Sequence, residues 1–323
     1  MKVSVIVPYY NPDSSPLLEQ LLTRAVQSAS DNLTDIPHEI IIVNDGSPSD
    51  PAIPSHPAVR YIRKEHGMLG SARNTGICNA TGNVVCFLDA DDFYYPQSLA
   101  ICLKAMEQTQ ADLLGFGMVR TAGTGAENTP SGGEPVFIGP MTGNDYMRRN
   151  NLPGSSCRYL ISMSLIRDYN LRFMENAFIE DEEFTPRLMH FSKRYVETTF
   201  PVYAYCIRQG SIITSDSQAL VQAKSDDTLK ALSNLLAFKE QHLSEPHDGL
   251  DRKISFLAMD FLRLTLRRND WKETIRPAKD SLRAIGLYPL NCSGYPLKYS
   301  LFSLLSRSMA GLKLLHLIEK SYK

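Results

Sequence analysis

The stretch VVCFLDADD at 84–92 decides how this chain is read. Val84 to Leu88 is a short apolar run of the kind found in a strand buried on both faces. It ends directly in Asp89-Ala90-Asp91-Asp92. Continued strand alternation would put Asp89 and Asp91 on one side with their carboxylates close together. Such a pair repels unless a cation or hydrogen-bond donors neutralise it. Hard oxygen ligands at a strand end suit Mg²⁺ or Mn²⁺ alongside a phosphate-bearing substrate. Alone, the same run also reads as an acidic turn in which an Asp caps the next helix.

Working outward, VSVIVP (3–8), EIIIVND (39–45), VRYI (59–62) and Asp112 to Val119 read as further strands. Between them, Leu17, Leu18, Leu21, Leu22, Ala25 and Val26 recur at helical spacing behind Pro16, which suits a first helical turn. Residues 70–79 and Pro96 to Gln108 read as two more helices. Strands separated by helices imply βαβ units and a mainly parallel sheet. In such sheets ligands sit beyond the carboxyl ends of the strands. Pro8–Asn11, Asn44–Ser47 and Asp89–Asp92 each follow a strand, so three polar loops are expected on one rim. His66 to Asn74 adds glycines before a helix start, with Arg73 and Asn74 expected in its first turn. A helix N-terminus offers free N–H groups to an anion. The segment fits neither GxxxxGKS/T nor GxGxxG, which disfavours a P-loop or a dinucleotide fold.

Composition excludes several classes. The 323 residues carry 34 Lys+Arg against 35 Asp+Glu, so no basic field points to nucleic acid. At 43% hydrophobic and 21% charged the chain can bury a sizeable core. The six cysteines show no CxxC spacing, and buried free thiols in a reducing compartment are expected. The N-terminus lacks an h-region and no run of apolar residues is long enough to span a bilayer. These features point to a cytoplasmic protein.

Three motifs in order, VSVIVPYYN (3–11), EIIIVNDGSPSD (39–50) and GMLGSARNTGICNATGNVVCFLDADD (67–92), resemble glycosyltransferase family 2. These are inverting, nucleotide-sugar-dependent enzymes of the GT-A fold. The resemblance implies a Rossmann-like α/β domain and a role for each matching position. Pro8, Tyr10 and Asn11 match the first nucleotide-contacting turn, Asp45 the acid that contacts the base, and Arg73 a segment facing the nucleotide and diphosphate. Asp89 matches the first acid of the Asp-x-Asp motif, near the ribose, and Asp91 the second, the metal ligand for Mn²⁺ or Mg²⁺. Asp92 would support the metal shell or cap the next helix. FIEDEEF (178–184) resembles the acceptor-side motif, with Asp181 as base and Glu180 beside it; Glu182 is a further alternative. YCIRQGSI (205–212) resembles the closing segment, where Arg208 would reach the diphosphate.

The resemblance implies a hexosyl- or N-acetylhexosaminyltransferase that uses a UDP-sugar and a glycan or lipid-linked acceptor, as in surface polysaccharide synthesis. A sugar-phosphate nucleotidyltransferase and a non-catalytic nucleotide-sugar-binding protein are the rival readings. The expected organisation is a GT-A domain over 1–215, nucleotide-binding over about 1–115 and acceptor-side over 116–215, then a helical region over 216–323. Residues 121–135, rich in Gly, Thr, Ser and Pro, read as a loop. In 297–323, Leu301, Leu304, Leu305, Leu312 and Leu315 form an apolar stripe beside Lys298, Arg307, Lys313, Lys320 and Lys323, against one acid, Glu319. Two readings stand: a helix docked on the rest of the chain, or one lying in an anionic membrane interface.

Overall fold

The computed structural model describes residues 1–122, 133–207, 218–291 and 295–321. The expected loop at 121–135 and Arg208 with its closing segment lie mostly outside those residues. In chain order the strands and helices are β1 (Val3–Tyr9), α1 (Pro16–Asn32), β2 (His38–Asp45), β3 (Val59–Lys64), α2 (Met68–Asn79), β4 (Val84–Phe87), β5 (Phe93–Tyr94), α3 (Ser98–Thr109) and β6 (Leu113–Ala122). There follow β7 (Ile138–Met141), α4 (Gly143–Arg149), β8 (Tyr159–Ser162), α5 (Met163–Asp168), α6 (Glu180–Phe191) and β9 (Tyr195–Ile207). The last are α7 (Gln218–Gln241), α8 (Asp248–Arg267), α9 (Trp271–Ala284), α10 (Leu297–Leu305) and α11 (Met309–Ser321).

The chain divides into two compact units: residues 1–143 with 154–215, and residues 144–153 with 216–323. The first holds one sheet in the order β3-β2-β1-β4-β8-β6-β9-β5, with β7 paired to β9. Strands β1 to β4 are parallel, with β1 between β2 and β4. The apolar runs of β1, β2 and β4 are buried on both faces, because helices cover the sheet, whereas the edge strand β3 is only part-buried and carries Arg60, Arg63 and Lys64. Beyond β4 the sheet is mixed. Strand β8 runs antiparallel to both β4 and β6, while β6 and β9 are parallel. The α/β plan expected from the alternation therefore holds, and its parallel part is the β3-β2-β1-β4 half. Because β1 is flanked by β2 on one side and β4 on the other, the chain order reverses there, and ligands sit at such a reversal.

The second unit is helical. Helix α8 is its hub: Leu250, Ile254, Leu257, Phe261 and Leu262 are buried among α7, α9 and α11. Of the described cysteines, Cys86, Cys102, Cys157 and Cys206 are buried free thiols and Cys78 is exposed.

Candidate active site

The loops after β1, β2 and β3 build one end of the rim. Asp45, the last residue of β2, is buried, and its carboxylate accepts from Lys64 Nζ at 2.8 Å and from Gly67 N–H at 3.0 Å. His66 Nδ1 lies 2.9 Å from its other oxygen. Gly46 is needed beside it: its φ is +78°, and a Cβ there would come within 2.8 Å of the His66 backbone nitrogen. The Tyr10 ring lies 4.4 Å from the His66 ring, tilted by 31°, and Tyr10 is 44% exposed. An acid in a cationic cradle beside two exposed flat rings can hold a planar polar ring by stacking and by accepting its N–H.

Pro8 and Asn11 have other duties. Pro8 is buried within β1, past the last residue of β1 paired to β4, where a missing N–H breaks no ladder bond. The Asn11 amide donates to Tyr9 Oη and the Ser15 carbonyl and accepts from Ser15 N–H. Both of its donors are used inside the turn. Of the three matched positions only Tyr10 is exposed.

The acid run ends β4 as a turn. The strand stops at Phe87, and Asp92 N–H donates to the Asp89 carbonyl at 3.0 Å. Turn geometry, not strand alternation, therefore brings the acids together. Asp92 is buried and accepts from Tyr203 Oη at 2.7 Å and Cys206 N–H at 2.8 Å. The same Tyr203 hydroxyl accepts from Asp89 N–H at 3.1 Å. Arg24 donates to the Asp91 carbonyl at 2.7 Å. Asp92 thus latches the turn to β9. It does not cap the next helix, which starts at Ser98 behind Gln97. Burial, with Asp89 and Asp91 close by, pushes its carboxyl up to about 8.

Arg73 departs most from its expected place. Helix α2 starts at Met68, two residues earlier than its expected opening at Gly70, so Arg73 lies in the second turn. Its guanidinium is 1% exposed and donates to Asp89 at 3.0 Å, Glu180 at 2.7 Å and Asp181 at 2.8 Å. The rings of Phe87 and Phe173 flank it, 5.7 and 5.4 Å from its central carbon. A guanidinium so enclosed orders the acids and does not reach out to a diphosphate.

Glu180 and Asp181 open helix α6, where carboxylates are favoured by the N-terminal dipole end. They differ in access: Glu180 is buried, whereas the Asp181 side chain is 17% exposed. Burial, with the Asp181 charge beside it, pushes Glu180 up to about 8 against the pull of Arg73. Burial also raises Asp89, which Arg73 opposes and Asp91 and Asp181 reinforce. Glu182 packs instead against Gly154. Of the three neighbouring acids, Asp181 alone is both tied to the Arg73 cluster and open to an incoming group.

Among the described residues no group of three or more His, Cys, Asp or Glu side chains is arranged to hold a metal alone. The donor set still suits a hard divalent cation. Carboxylates outnumber the single guanidinium, and Asp91 is partly exposed beside them. Mg²⁺ and similar ions are commonly held by one or two carboxylates plus substrate phosphates. Lys64, His66 and Tyr203 are the residues that the motif reading missed. His66 had a findable signal, because it follows the end of β3 on the same rim as the other loops.

Comparison with known proteins agrees with this architecture. Residues 4–169 match the family described as Glycosyl transferase family 2. The chain is 30% identical over 214 residues to the uncharacterized glycosyltransferase EpsJ of Bacillus subtilis, covering 63% of this chain and 60% of that protein. It is 27% identical to glycosyltransferase GlyA of Streptococcus pneumoniae, over 75% of this chain and 36% of that protein. The chain thus spans less than two thirds of the length of either relative. The crystal structure of S. aureus TarS 1–349 in complex with UDP-GlcNAc superposes with a TM-score of 0.67 at 20% identity, over 100% of this chain and 91% of that one. That likeness shows a shared GT-A fold. The family match takes in β1 to β4 and their rim loops, and ends before Glu180 and Asp181. Since it runs over just over half of the sequence, the chain belongs to glycosyl transferase family 2.

Proposed function

We propose that this chain transfers a sugar from a UDP-sugar to a hydroxyl of a glycan or lipid-linked acceptor, with inversion, in the building of a surface polysaccharide. The observation that carries the reading is the pairing of two settings on one rim: the Tyr10–Asp45–His66 cradle, and Asp181 held by Arg73 beside Asp89. The TarS fragment of the same fold was crystallised with UDP-GlcNAc, which supports a UDP-sugar donor.

In this reading the base stacks on Tyr10 and donates to Asp45, and Asp89 contacts the ribose. Asp181 accepts the proton of the acceptor hydroxyl as its oxygen bonds to the anomeric carbon. The bond from that carbon to the diphosphate breaks on the opposite face, and its electron pair leaves with UDP. Attack opposite the leaving group inverts the centre, as in inverting sugar hydrolysis. Asp91 would hold a divalent cation with the diphosphate oxygens, and that cation would neutralise the leaving charge. Arg73 keeps Asp181 and Asp89 in fixed positions, which limits the rearrangement needed on the way to the transition state. Arg208 would add a phosphate contact. With a lipid-linked acceptor the chain works at the cytoplasmic face of a membrane.

A thermal-shift screen of nucleotide sugars with and without Mn²⁺ tests the reading, since a ligand that binds only the native state raises its apparent stability. A UDP-sugar should raise the melting temperature, more so with Mn²⁺, and EDTA or Asp91→Asn should abolish transfer. Full activity in EDTA would remove the metal role. Formation of a sugar nucleotide and pyrophosphate from sugar phosphate and UTP would move the reaction class to nucleotidyl transfer.

A further inference from the structure

Scattered exposed leucines are ordinary on a protein surface. In the tail they are not scattered. Of 17 large apolar side chains exposed among the described residues, seven fall between 297 and 318. On α10 they are Leu297, Leu301 and Leu304, spaced as one helical stripe, with Leu297 84% exposed. On α11 they are Met309, Leu314, Leu317 and Ile318. The opposite side of α11 is the docked one: Leu312 and Leu315 are buried, and the His316 ring stacks 4.8 Å from Trp271. The apolar stripe expected from sequence therefore splits. Leu312 and Leu315 pack inside the unit, while Leu301 and Leu304 face out.

The charges divide the same way. Glu319, the only acid in 297–323, is turned inward and paired with Arg263 at 2.7 Å and Arg267 at 2.8 Å of α8. Lys298, Arg307, Lys313 and Lys320 are all exposed. Within 297–321 the exposed charges are thus all cations, lying alongside the exposed apolar side chains. A symmetric contact between two copies would set those cations against one another. An anionic lipid surface complements both features: leucines enter the headgroup region and lysines meet the phosphates. Neither helix, at 9 and 13 residues, can cross a bilayer, and no described helix is long and apolar enough to do so.

We propose that the outward face of α10 and α11 docks on an anionic membrane surface, with both helices lying in the interface plane. This meets the proposed function only through its lipid-linked acceptor. The test uses neither donor nor acceptor, so the two ideas fail separately.

The experiment is co-sedimentation of the full chain with phosphatidylcholine vesicles, with or without phosphatidylglycerol. Binding is expected only with the anionic lipid, and should weaken as salt is raised. Lys313→Gln with Lys320→Gln should lower partitioning by about tenfold or more. Leu314→Glu with Leu317→Glu should abolish it while the circular dichroism spectrum and the melting temperature stay unchanged. Leu243→Glu, at an exposed apolar side chain outside the two helices, should have no effect. Absence of binding to anionic vesicles at low salt overturns the proposal, as does binding that ignores both double substitutions. Dimerisation lost in the leucine variant, without vesicle binding in the parent, would make the face an interface between copies.

Discussion

Asp45 and Asp89 stand on the same rim, each after a buried strand, on either side of β1. In sequence they look alike. In the structure they occupy opposite electrostatic settings. Asp45 is alone among donors: Lys64, His66 and the Gly67 N–H. Asp89 is one of several acids sharing Arg73 with Glu180 and Asp181. The first setting is already neutralised and suits recognition of an uncharged ring. In the second, burial above all, with neighbouring carboxylates adding to it, raises Asp89 and Glu180, and so calls for a cation or a proton. An acid at a strand end thus marks a position, and its neighbours decide the chemistry.

The comparison is broken most directly at Asp181. If the acid-rich end does chemistry and the cation-rich end does recognition, Asp181→Asn should slow transfer by about 10²–10⁴-fold. UDP affinity should not change. Single-turnover kinetics with calorimetry separates the two. A variant with near-native turnover would pass the role to Glu180 or Glu182, of which the buried Glu180 is the poorer candidate.

Next in size is Arg73. Removing one partner of a buried ionic cluster costs about 3–5 kcal/mol, so Arg73→Met should lower unfolding stability by that order in urea titrations. Arg73→Lys should recover only part of it, because an ammonium lacks the planar fork that spans three carboxylates. Asp45→Ala, which leaves Lys64 beside solvent-accessible space, should destabilise far less. Equal losses at the two sites would erase the contrast.

The acid-rich end should also carry a pH signature. Glu180 is pushed up to about 8 in the folded chain, against about 4.3 when unfolded. Below about pH 4 both states hold the proton. Between there and pH 8 the unfolded chain releases it and the folded chain keeps it, so stability falls as pH rises through that window. Glu180→Gln should flatten this slope and gain up to a few kcal/mol near pH 8. The buried Glu39, at the far end of β2, behaves oppositely. Ser4, Thr81 and Arg60 bind its charged form and, against the cost of burial, hold it down at about 2. Its contribution is lost only below about pH 4.5, as pH falls toward 2. Denaturation midpoints from pH 2 to 9 distinguish the two; a slope unchanged by Glu180→Gln would mean Glu180 is ionised when folded.

How far all this was readable follows from the range of the interactions. Strands β1, β2 and β4 are continuous apolar runs because both faces are buried, and α1 carries its periodic leucines. Strand β9 was obscured by Pro201, which lies opposite Gly117 where the register with β6 shifts. Strand β5 has two residues and β7 four, too short for any period. In the site, Asp45 and Asp89 were legible as rim acids because each ends a strongly apolar run, while Asp181 was legible only through the family's acceptor-side motif. The duties of Arg73 were not legible: its acidic partners on α6 are 107 and 108 residues away. Asn11 misled for the opposite reason, since its own turn consumes its amide within four residues.

The smallest effects should come from the cation-rich end, and they sharpen the comparison by splitting it. Asp45→Ala should weaken UDP binding by about 1–3 kcal/mol, the scale of a lost hydrogen bond to a charged group, with turnover at saturating donor little changed. His66 plays two parts that can be pulled apart: its Nδ1 meets Asp45, and its ring lies against Tyr10. If the ring contact matters, His66→Phe should keep most of the affinity, while His66→Ala should lose about 0.5–1.5 kcal/mol, the worth of one aromatic pair. If instead His66 serves only to hold Asp45, both variants should weaken binding alike, and neither should add to Asp45→Ala in a double-mutant cycle. Calorimetry of UDP against the parent, the three single variants and the two double variants distinguishes these outcomes. Unchanged affinity in all of them would move the base away from the ends of β2 and β3, and leave the cradle as a brace for the start of α2, whose first residue, Met68, has a φ of 65°.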